Sequence, residues 1–161
     1  MEDACLKTVE YFLHLTSRKA KTDYGAAWHD FYLPRLYNSR PAMSRVLVVD
    51  DEVEICLLVT QYLRKLGYEV TYSLSRAEAV SKLSASPYDL LFVDLNLADG
   101  SGYDVIKVLQ DSNSPTKVIV ISAYDNEKMK ALQKGASLFL AKPFTKKAID
   151  ESLQKLNFQT H

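Results

Sequence analysis

The residues of this chain that are best suited to chemistry stand directly after apolar segments, where predicted β-strands end. Three of them are carboxylates, one is a hydroxyl and one is an amine. They are Asp50, Asp51, Asp94, Ser122 and Lys142. Because the carboxyl ends of parallel strands meet at one edge of a sheet, we expect these side chains to converge there.

The charges of this group favour a site for a divalent cation and a phosphate. Three carboxylates and one ammonium leave two negative charges, and crowded carboxylates raise one another's pKa. Oxygen ligands suit Mg²⁺, which usually takes one or two carboxylates together with phosphate oxygens. A carboxylate can also act as the nucleophile and form an aspartyl phosphate. Ser122 and Lys142 would then bind the phosphoryl oxygens by hydrogen bond and by charge.

The segments around these residues alternate between two periodicities. Five short apolar segments are predicted strands: 45–50, 68–72, 89–94, 117–122 and 138–141. Five segments with helical spacing follow them in turn: 55–66, 75–83, 103–110, 126–134 and 145–156. Ser75 is a predicted helix cap, and Gly67 and Gly135 are predicted helix stops. Such alternation predicts an α/β fold with a parallel sheet and helices on both faces.

Composition excludes several classes of partner. The 161 residues contain 20 basic and 20 acidic side chains, so the formal net charge is zero and no global attraction for nucleic acid or anionic membrane is expected. No apolar run approaches the length of about 20 residues that a membrane helix needs. Glu2 and Asp3 are atypical of a secretory signal, and Cys5 and Cys56 lack metal-ligand spacing. We therefore expect free thiols and a cytoplasmic protein.

Residues 1–43 differ from the regular remainder, 44–161, and we treat them as an N-terminal extension. Cys5, Val9, Phe12 and Thr16 have helical spacing and predict a short amphipathic helix over 3–19, followed by a linker. The extension could pack on the regular domain, bind a partner or be disordered. Initiation at Met43 would remove it and leave 119 residues.

Four blocks of sequence carry a family resemblance. They are residues 47–52 (LVVDDE), 93–102 (VDLNLADGSG), 121–123 (ISA) and 142–144 (KPF). In this order and strand context they resemble the receiver domain of bacterial two-component response regulators, over about residues 44–157. The resemblance implies a doubly wound, flavodoxin-like, five-stranded parallel sheet of order 2-1-3-4-5.

The resemblance also implies a role for each site residue. Asp94 resembles the phosphoacceptor, Asp50 and Asp51 the acidic pair that binds Mg²⁺ together with Asp94, and Asn96 the residue whose backbone carbonyl completes the metal ligands. Ser122 and Lys142 resemble the pair that contacts the phosphoryl group, and Phe139 resembles the switch aromatic. A cis peptide is implied between Lys142 and Pro143.

Two positions depart from the family pattern. Ala98 stands where the family usually has proline, which predicts a looser loop after the acceptor. Tyr124 is bulky at a variable position, and we hypothesise that it alters the access of water to the acyl phosphate.

The function implied is that of a stand-alone, chemotaxis-regulator-like receiver. It would accept a phosphoryl group from a sensor histidine kinase or a histidine phosphotransfer protein, using Mg²⁺, and signal to a downstream protein target by a conformational change. It would be a signalling protein, catalysing only its own phosphorylation and dephosphorylation. Three alternatives stay open: a phosphorelay intermediate, an interaction module independent of phosphorylation, and a Mg²⁺-dependent phosphatase of small substrates.

Other motifs favour simpler interpretations. Gly100 and Gly102 lack the third glycine of a dinucleotide-binding loop and are predicted to form a turn before a helix. Residues 94–98 (DLNLA) lack the second Asp and the Thr of a haloacid-dehalogenase-type phosphatase motif. The group of Lys128, Lys130, Lys134, Lys146 and Lys147 is interspersed with Glu127, Asp150 and Glu151, which is typical of a solvated face and not of a nucleic-acid site.

Overall fold

Five apolar segments form one parallel β-sheet in the computed structural model, which describes residues 44–158. The strands are β1 (Arg45–Val49), β2 (Glu69–Ser73), β3 (Leu90–Asp94), β4 (Lys117–Ser122) and β5 (Leu138–Ala141). Their order in the sheet is β2-β1-β3-β4-β5, and every neighbouring pair is parallel. The predicted fold class and strand order are confirmed.

Five helices cover the two faces of the sheet. They are α1 (Val53–Lys65), α2 (Arg76–Ala85), α3 (Gly102–Asp111), α4 (Lys128–Gln133) and α5 (Lys146–Lys155). Side chains of α1 and α5 share one core layer with alternate residues of the strands, among them Val46 and Val48. The residues between these, such as Leu47 and Val49, belong to the other layer with α2, α3 and α4. The central strands are buried on both faces, which explains their continuous apolar sequence.

The strand register brings the candidate residues to the same edge. Asp94 at the end of β3 pairs with Ile121 of β4, so Ser122 is the next residue along β4. Ser122 pairs in turn with Ala141 of β5, after which Lys142 follows. The carboxyl ends of three adjacent strands are therefore nearly level.

Helix boundaries agree with the capping residues in the sequence. The Ser75 hydroxyl accepts a hydrogen bond from the Glu78 amide at 3.2 Å. Gly67 and Gly135 have φ of 91° and 94°, the left-handed conformation expected directly after a helix. The predicted helix over 126–134 was wrong at its start, because Asp125–Glu127 form a 3₁₀ turn. No side chain caps this turn, and a 3₁₀ turn satisfies backbone groups that an uncapped α-helix would leave free.

The segment after β3 contains a small hairpin that the sequence analysis did not predict. Asn96–Leu97 pairs antiparallel with Gly100–Ser101, and α3 begins at the next residue. The turn predicted at the two glycines lies instead at residues 98–99, because Gly100 belongs to the second strand of the hairpin and Gly102 is the first residue of α3.

Both ends of the described region lie against the amino end of β2. The Glu69 amide donates to the Ser44 carbonyl at 3.2 Å. Phe158 is buried and stacks on Tyr68, with ring centroids 5.4 Å apart, and the Tyr68 hydroxyl donates to the Phe158 carbonyl at 2.9 Å. This end of the sheet is opposite to the edge that carries the candidate residues.

The expected extension over 1–43, with its helix over 3–19, lies outside the described residues. Within residues 44–158, no helix is both long enough and apolar enough to cross a membrane.

Candidate functional site

Lys142 lies at the centre of an acidic cluster at the carboxyl edge of the sheet. Its Nζ is 2.8 Å from Asp50 Oδ2, 2.5 Å from Asp94 Oδ2 and 2.9 Å from Glu52 Oε1. Residues that are far apart in sequence thus form one ion-pair network. Glu52 was not singled out from the sequence, although it directly follows Asp50 and Asp51.

The backbone around β1 fixes Asp50. Its amide donates to the Ser73 carbonyl at 3.2 Å, and its Oδ1 accepts from the Glu52 amide at 2.9 Å. The Cys56 thiol donates to the Asp50 carbonyl at 3.3 Å. Asp50 is fully buried, so its position is set by packing as well as by hydrogen bonds.

Asp94 is held by the loop that follows it. Its Oδ1 accepts from the Asn96 amide at 3.0 Å, while Oδ2 faces Lys142. Gly102 at the start of α3 packs directly on this backbone, because a Cβ at Gly102 would lie 2.0 Å from the Asp94 carbonyl oxygen. Gly102 was predicted only as part of a turn. The close approach explains why only glycine fits there.

Burial and charge oppose each other in this cluster. Burial raises the pKa of Asp50, and the close contact with the positively charged Lys142 acts in the opposite direction. Burial would lower the pKa of Lys142, but its contacts with Asp50, Asp94 and Glu52 outweigh this and raise that pKa. Lys142 is therefore an ammonium at neutral pH and supplies a fixed positive charge.

The donor set fits a hard divalent cation. One oxygen each of Asp50, Asp51 and Asp94 lies within 4.8 Å of the others. Asp50 Oδ2 is buried and accepts no hydrogen bond of good geometry, although Lys142 Nζ is close to it. Asp51 is exposed, so the group is open on one side. Carboxylate oxygens in excess of local positive charge are the ligands that Mg²⁺ prefers.

Ser122 lies beside the cluster, with its hydroxyl directed elsewhere. The residue is fully buried, and its Oγ accepts from the Tyr124 amide at 3.2 Å. Its carbonyl accepts from the Lys142 amide at 2.8 Å, which joins β4 to the residue after β5. Among the described residues, no hydrogen bond links this hydroxyl to Asp94 or Lys142. The peptide between Lys142 and Pro143 is cis.

Two further predicted residues belong to β5 and to the hairpin. Phe139 of β5 pairs with Val120 and is half-buried against the core layer of α2, α3 and α4. Asn96 is exposed at the start of the hairpin, and its carbonyl lies in the segment that adjoins Asp94.

Comparison with known proteins gives a consistent result. The family model of the response regulator receiver domain matches residues 46–154. The chemotaxis protein CheY of Thermotoga maritima is 32% identical over 116 residues, which are 70% of this chain and 97% of that protein. The sensor protein EvgS of Escherichia coli is 31% identical over 123 residues, which are 75% of this chain but only 10% of EvgS. The chain thus spans about a tenth of that relative.

Solved structures agree with the fold. The response regulator TrrA of Thermotoga maritima, in complex with Mg²⁺ and BeF, has a TM-score of 0.65 and 30% identity. The match covers 71% of this chain and 99% of TrrA. Chemotaxis protein CheY4 of Vibrio cholerae has a TM-score of 0.65 and 29% identity, over 71% of this chain and 98% of CheY4.

Proposed function

This chain belongs to the family of response regulator receiver domains, and we propose on that basis that Asp94 accepts a phosphoryl group in two-component signalling. The observation that carries the proposal is the position of Asp94. It is a buried carboxylate at the end of the central strand β3, paired with Lys142 and within metal-binding distance of two other carboxylates.

The proposed transfer uses a carboxylate oxygen of Asp94 as the nucleophile. With a phosphohistidine donor, an O–P bond forms and the P–N bond breaks. The electron pair of that bond goes to the imidazole nitrogen, which takes a proton from solvent. The ammonium of Lys142 is already 2.5 Å from the carboxylate and would bind an oxygen of the arriving phosphoryl group.

The proposed metal ligands are carboxylates of Asp50, Asp51 and Asp94, with the backbone carbonyl of Asn96. Mg²⁺ bound there would supply positive charge between these carboxylates and the phosphoryl oxygens. Asp50 is buried and fixed by two hydrogen bonds, so it would keep its place whether or not the cation is bound.

The proposed signal begins at Ser122. Its hydroxyl would exchange the Tyr124 amide for a phosphoryl oxygen, which requires the start of the β4–α4 loop to move. Phe139 is half-buried and would follow inward into the space released. The face formed by α4, β5 and α5 would then change shape and bind a downstream protein.

We further propose a sensor histidine kinase or a histidine phosphotransfer protein as the donor, and the cytoplasm as the compartment. The free, buried Cys56 thiol is compatible with a reducing environment. A second candidate function is that of a phosphorelay intermediate, favoured by the identity to part of the sensor protein EvgS. In that case a second histidine protein would become phosphorylated by this chain.

The test is the intact mass after incubation with acetyl phosphate, with and without Mg²⁺, in the native protein and in Asp94→Asn. We expect one added phosphoryl group that requires both Mg²⁺ and Asp94. A phosphohistidine protein serves as a second donor, in case small donors react slowly. An adduct of equal yield in Asp94→Asn, or none with either donor, would overturn the proposal.

A further inference from the structure

The tip of the hairpin after Asp94 is fastened to the first turn of α2 by Asp99. Asp99 Oδ1 accepts from the Arg76 amide at 2.6 Å, and Oδ2 accepts from the Ala77 amide at 2.9 Å. These two amides have no partner within the helix, because they belong to its first turn. Asp99 therefore caps a helix from 22 and 23 residues away in sequence.

The side chain of Arg76 in turn binds the tip of the hairpin. Arg76 Nε donates to the Asp99 carbonyl at 3.3 Å, and its guanidinium lies 3.7 Å from Asp104 of α3. Gly100 has φ of 149°, and a Cβ there would be 2.7 Å from Arg76 Nε. The Arg76 side chain therefore lies flat against the hairpin. We call these mutual hydrogen bonds between Asp99 and residues 76–77 the clasp.

The clasp acts on the residues nearest the acceptor. Asn96 opens the hairpin, pairs with Ser101 and donates its amide to Asp94 Oδ1. The Gly102 amide closes the same segment by donating to the Leu95 carbonyl at 2.9 Å. The segment is otherwise exposed at 96 and at 98–100. The Asn96 peptide thus belongs to the same short hairpin whose tip is bound by Asp99 to α2.

We propose that Asp99 is a positioning residue for phosphoryl acceptance. It holds the hairpin in place, so that Asn96 stays directed at Asp94 and at the metal ligands. This inference rests on the proposed function of Asp94. The cap should be effective because a carboxylate at a helix N-terminus is favoured by the helix dipole and by charge-assisted hydrogen bonds. The amides of Ala77 and Arg76 accordingly lower the pKa of Asp99.

The chain provides a matched control. Ser75 caps the same helix through its hydroxyl, which accepts from the Glu78 amide, but Ser75 is not part of the hairpin. Ser75→Ala should therefore weaken α2 while leaving the clasp in place. A second comparison is Ala98→Pro, which restricts the unfolded loop. No hydrogen bond from the Ala98 amide is found among the described residues, so proline removes none.

The experiment compares the native protein with Asp99→Ala, Ser75→Ala and the double variant Asp99→Ala with Ala98→Pro. Amide hydrogen exchange at Asn96 and Gly102 is measured by NMR, Mg²⁺ affinity by calorimetry, and the phosphorylation rate with acetyl phosphate at saturating Mg²⁺. For Asp99→Ala we expect about fivefold faster exchange at these amides and about fivefold weaker Mg²⁺ binding. In the double variant, amide exchange and Mg²⁺ affinity should both return part of the way to their native values. Ser75→Ala should change neither the amide exchange nor the Mg²⁺ affinity.

Three outcomes overturn the inference. The first is native behaviour of Asp99→Ala, and the second is an equal loss in Ser75→Ala, which would assign the effect to α2 alone. The third is faster exchange without any change in Mg²⁺ affinity or phosphorylation rate. If instead the native protein is not phosphorylated by any donor, the proposed function itself fails, and that result is visible before any variant is compared.

Discussion

Nζ of Lys142 lies 2.5 Å from Oδ2 of Asp94, so the proposed phosphoacceptor is already paired with the charge that would bind its phosphoryl group. The same ammonium contacts Asp50, and Lys142 is only 11% exposed at its side chain. Its loss would leave two buried carboxylates without a counter-charge. Removing either the lysine or a bound cation should therefore destabilise the folded protein, because buried negative charge is then left uncompensated.

Lys142→Met should lower the free energy of unfolding by about 3 kcal/mol in EDTA, because breaking a buried pair leaves uncompensated charge. Mg²⁺ should restore part of the loss, since it binds the native carboxylates and not the unfolded chain. Urea denaturation with and without Mg²⁺ measures both effects. Lys147→Met is the control, since Lys147 is 85% exposed and its pair with Glu151 is 3.9 Å long. An equal loss in both variants would contradict the prediction.

Ser122→Ala should still be phosphorylated on Asp94, but it should transmit less of the conformational change to Phe139 and β5. It also removes the acceptor for the Tyr124 amide, which should cost about 1 kcal/mol. NMR spectra before and after acetyl phosphate should show smaller shifts at Phe139 and along β5 than in the native protein. Ser122→Thr retains the hydroxyl and should behave like the native protein. Full-sized shifts in Ser122→Ala would exclude this role for the hydroxyl.

Gly102→Ala should disrupt the segment that follows Asp94, because its Cβ would lie 2.0 Å from the Asp94 carbonyl oxygen and 3.0 Å from Leu95 Cα. Backbone atoms cannot swing aside as a side-chain end can, so a loss of about 3 kcal/mol is expected, together with weaker Mg²⁺ binding. The comparison is Gly67→Ala, at φ of 91° and away from the site, which should cost about 1 kcal/mol and leave metal binding unchanged. Thermal unfolding and calorimetry test the pair, and normal Mg²⁺ affinity in Gly102→Ala would refute the prediction.

Glu78→Gln should destabilise the protein at neutral pH and have no effect in acid. The hydrogen bond from Lys82 has the largest effect in lowering the pKa of Glu78 in the folded state. Hydrogen bonds from Ser73 and the Leu74 amide also lower this pKa. A carboxylate with a lowered folded pKa contributes stability above its unfolded pKa, and the contribution is lost as pH falls through the folded value. Its side chain is 48% exposed, so solvent screening limits the effect to about 0.5 kcal/mol.

The measurement for Glu78 is the difference in unfolding free energy between variant and native protein from pH 7 to pH 3. Glu151→Gln provides the comparison, since its carboxylate is 3.9 Å from the exposed Lys147 and should contribute less. A difference for Glu78→Gln that is constant with pH would show that the charge is not responsible.

The regular elements were predictable because each carries its own local signal. Continuous apolar runs identified the buried strands, and Ser75 and Gly67 marked helix ends by side-chain capping and positive φ. The order of the strands came from the resemblance. Convergence of Asp94 and Lys142 at one edge followed from the parallel arrangement, since residues at the carboxyl ends of such strands share that edge.

The rest depended on contacts that have no local pattern. The hairpin after Asp94 has two residues per strand, too few for any alternation to appear. In the sequence, Asp99 has the pattern of an ordinary loop residue. Its contact with α2, which lies more than 20 residues earlier in the chain, is visible only in the structure. The direction of the Ser122 hydroxyl toward Tyr124 is equally a matter of conformation, which residue type and spacing do not encode.

The packing of Ser44 and Phe158 beside the start of β2 has a practical consequence for protein engineering. Because both boundaries of the described domain emerge there, a short linker from Phe158 to Ser44 would yield a circular permutant, with new termini opened in an exposed loop elsewhere. The same two points suit surface immobilisation or a fluorescent fusion. A label attached there lies at the opposite end of the sheet from Asp94, so it leaves the proposed phosphoacceptor accessible.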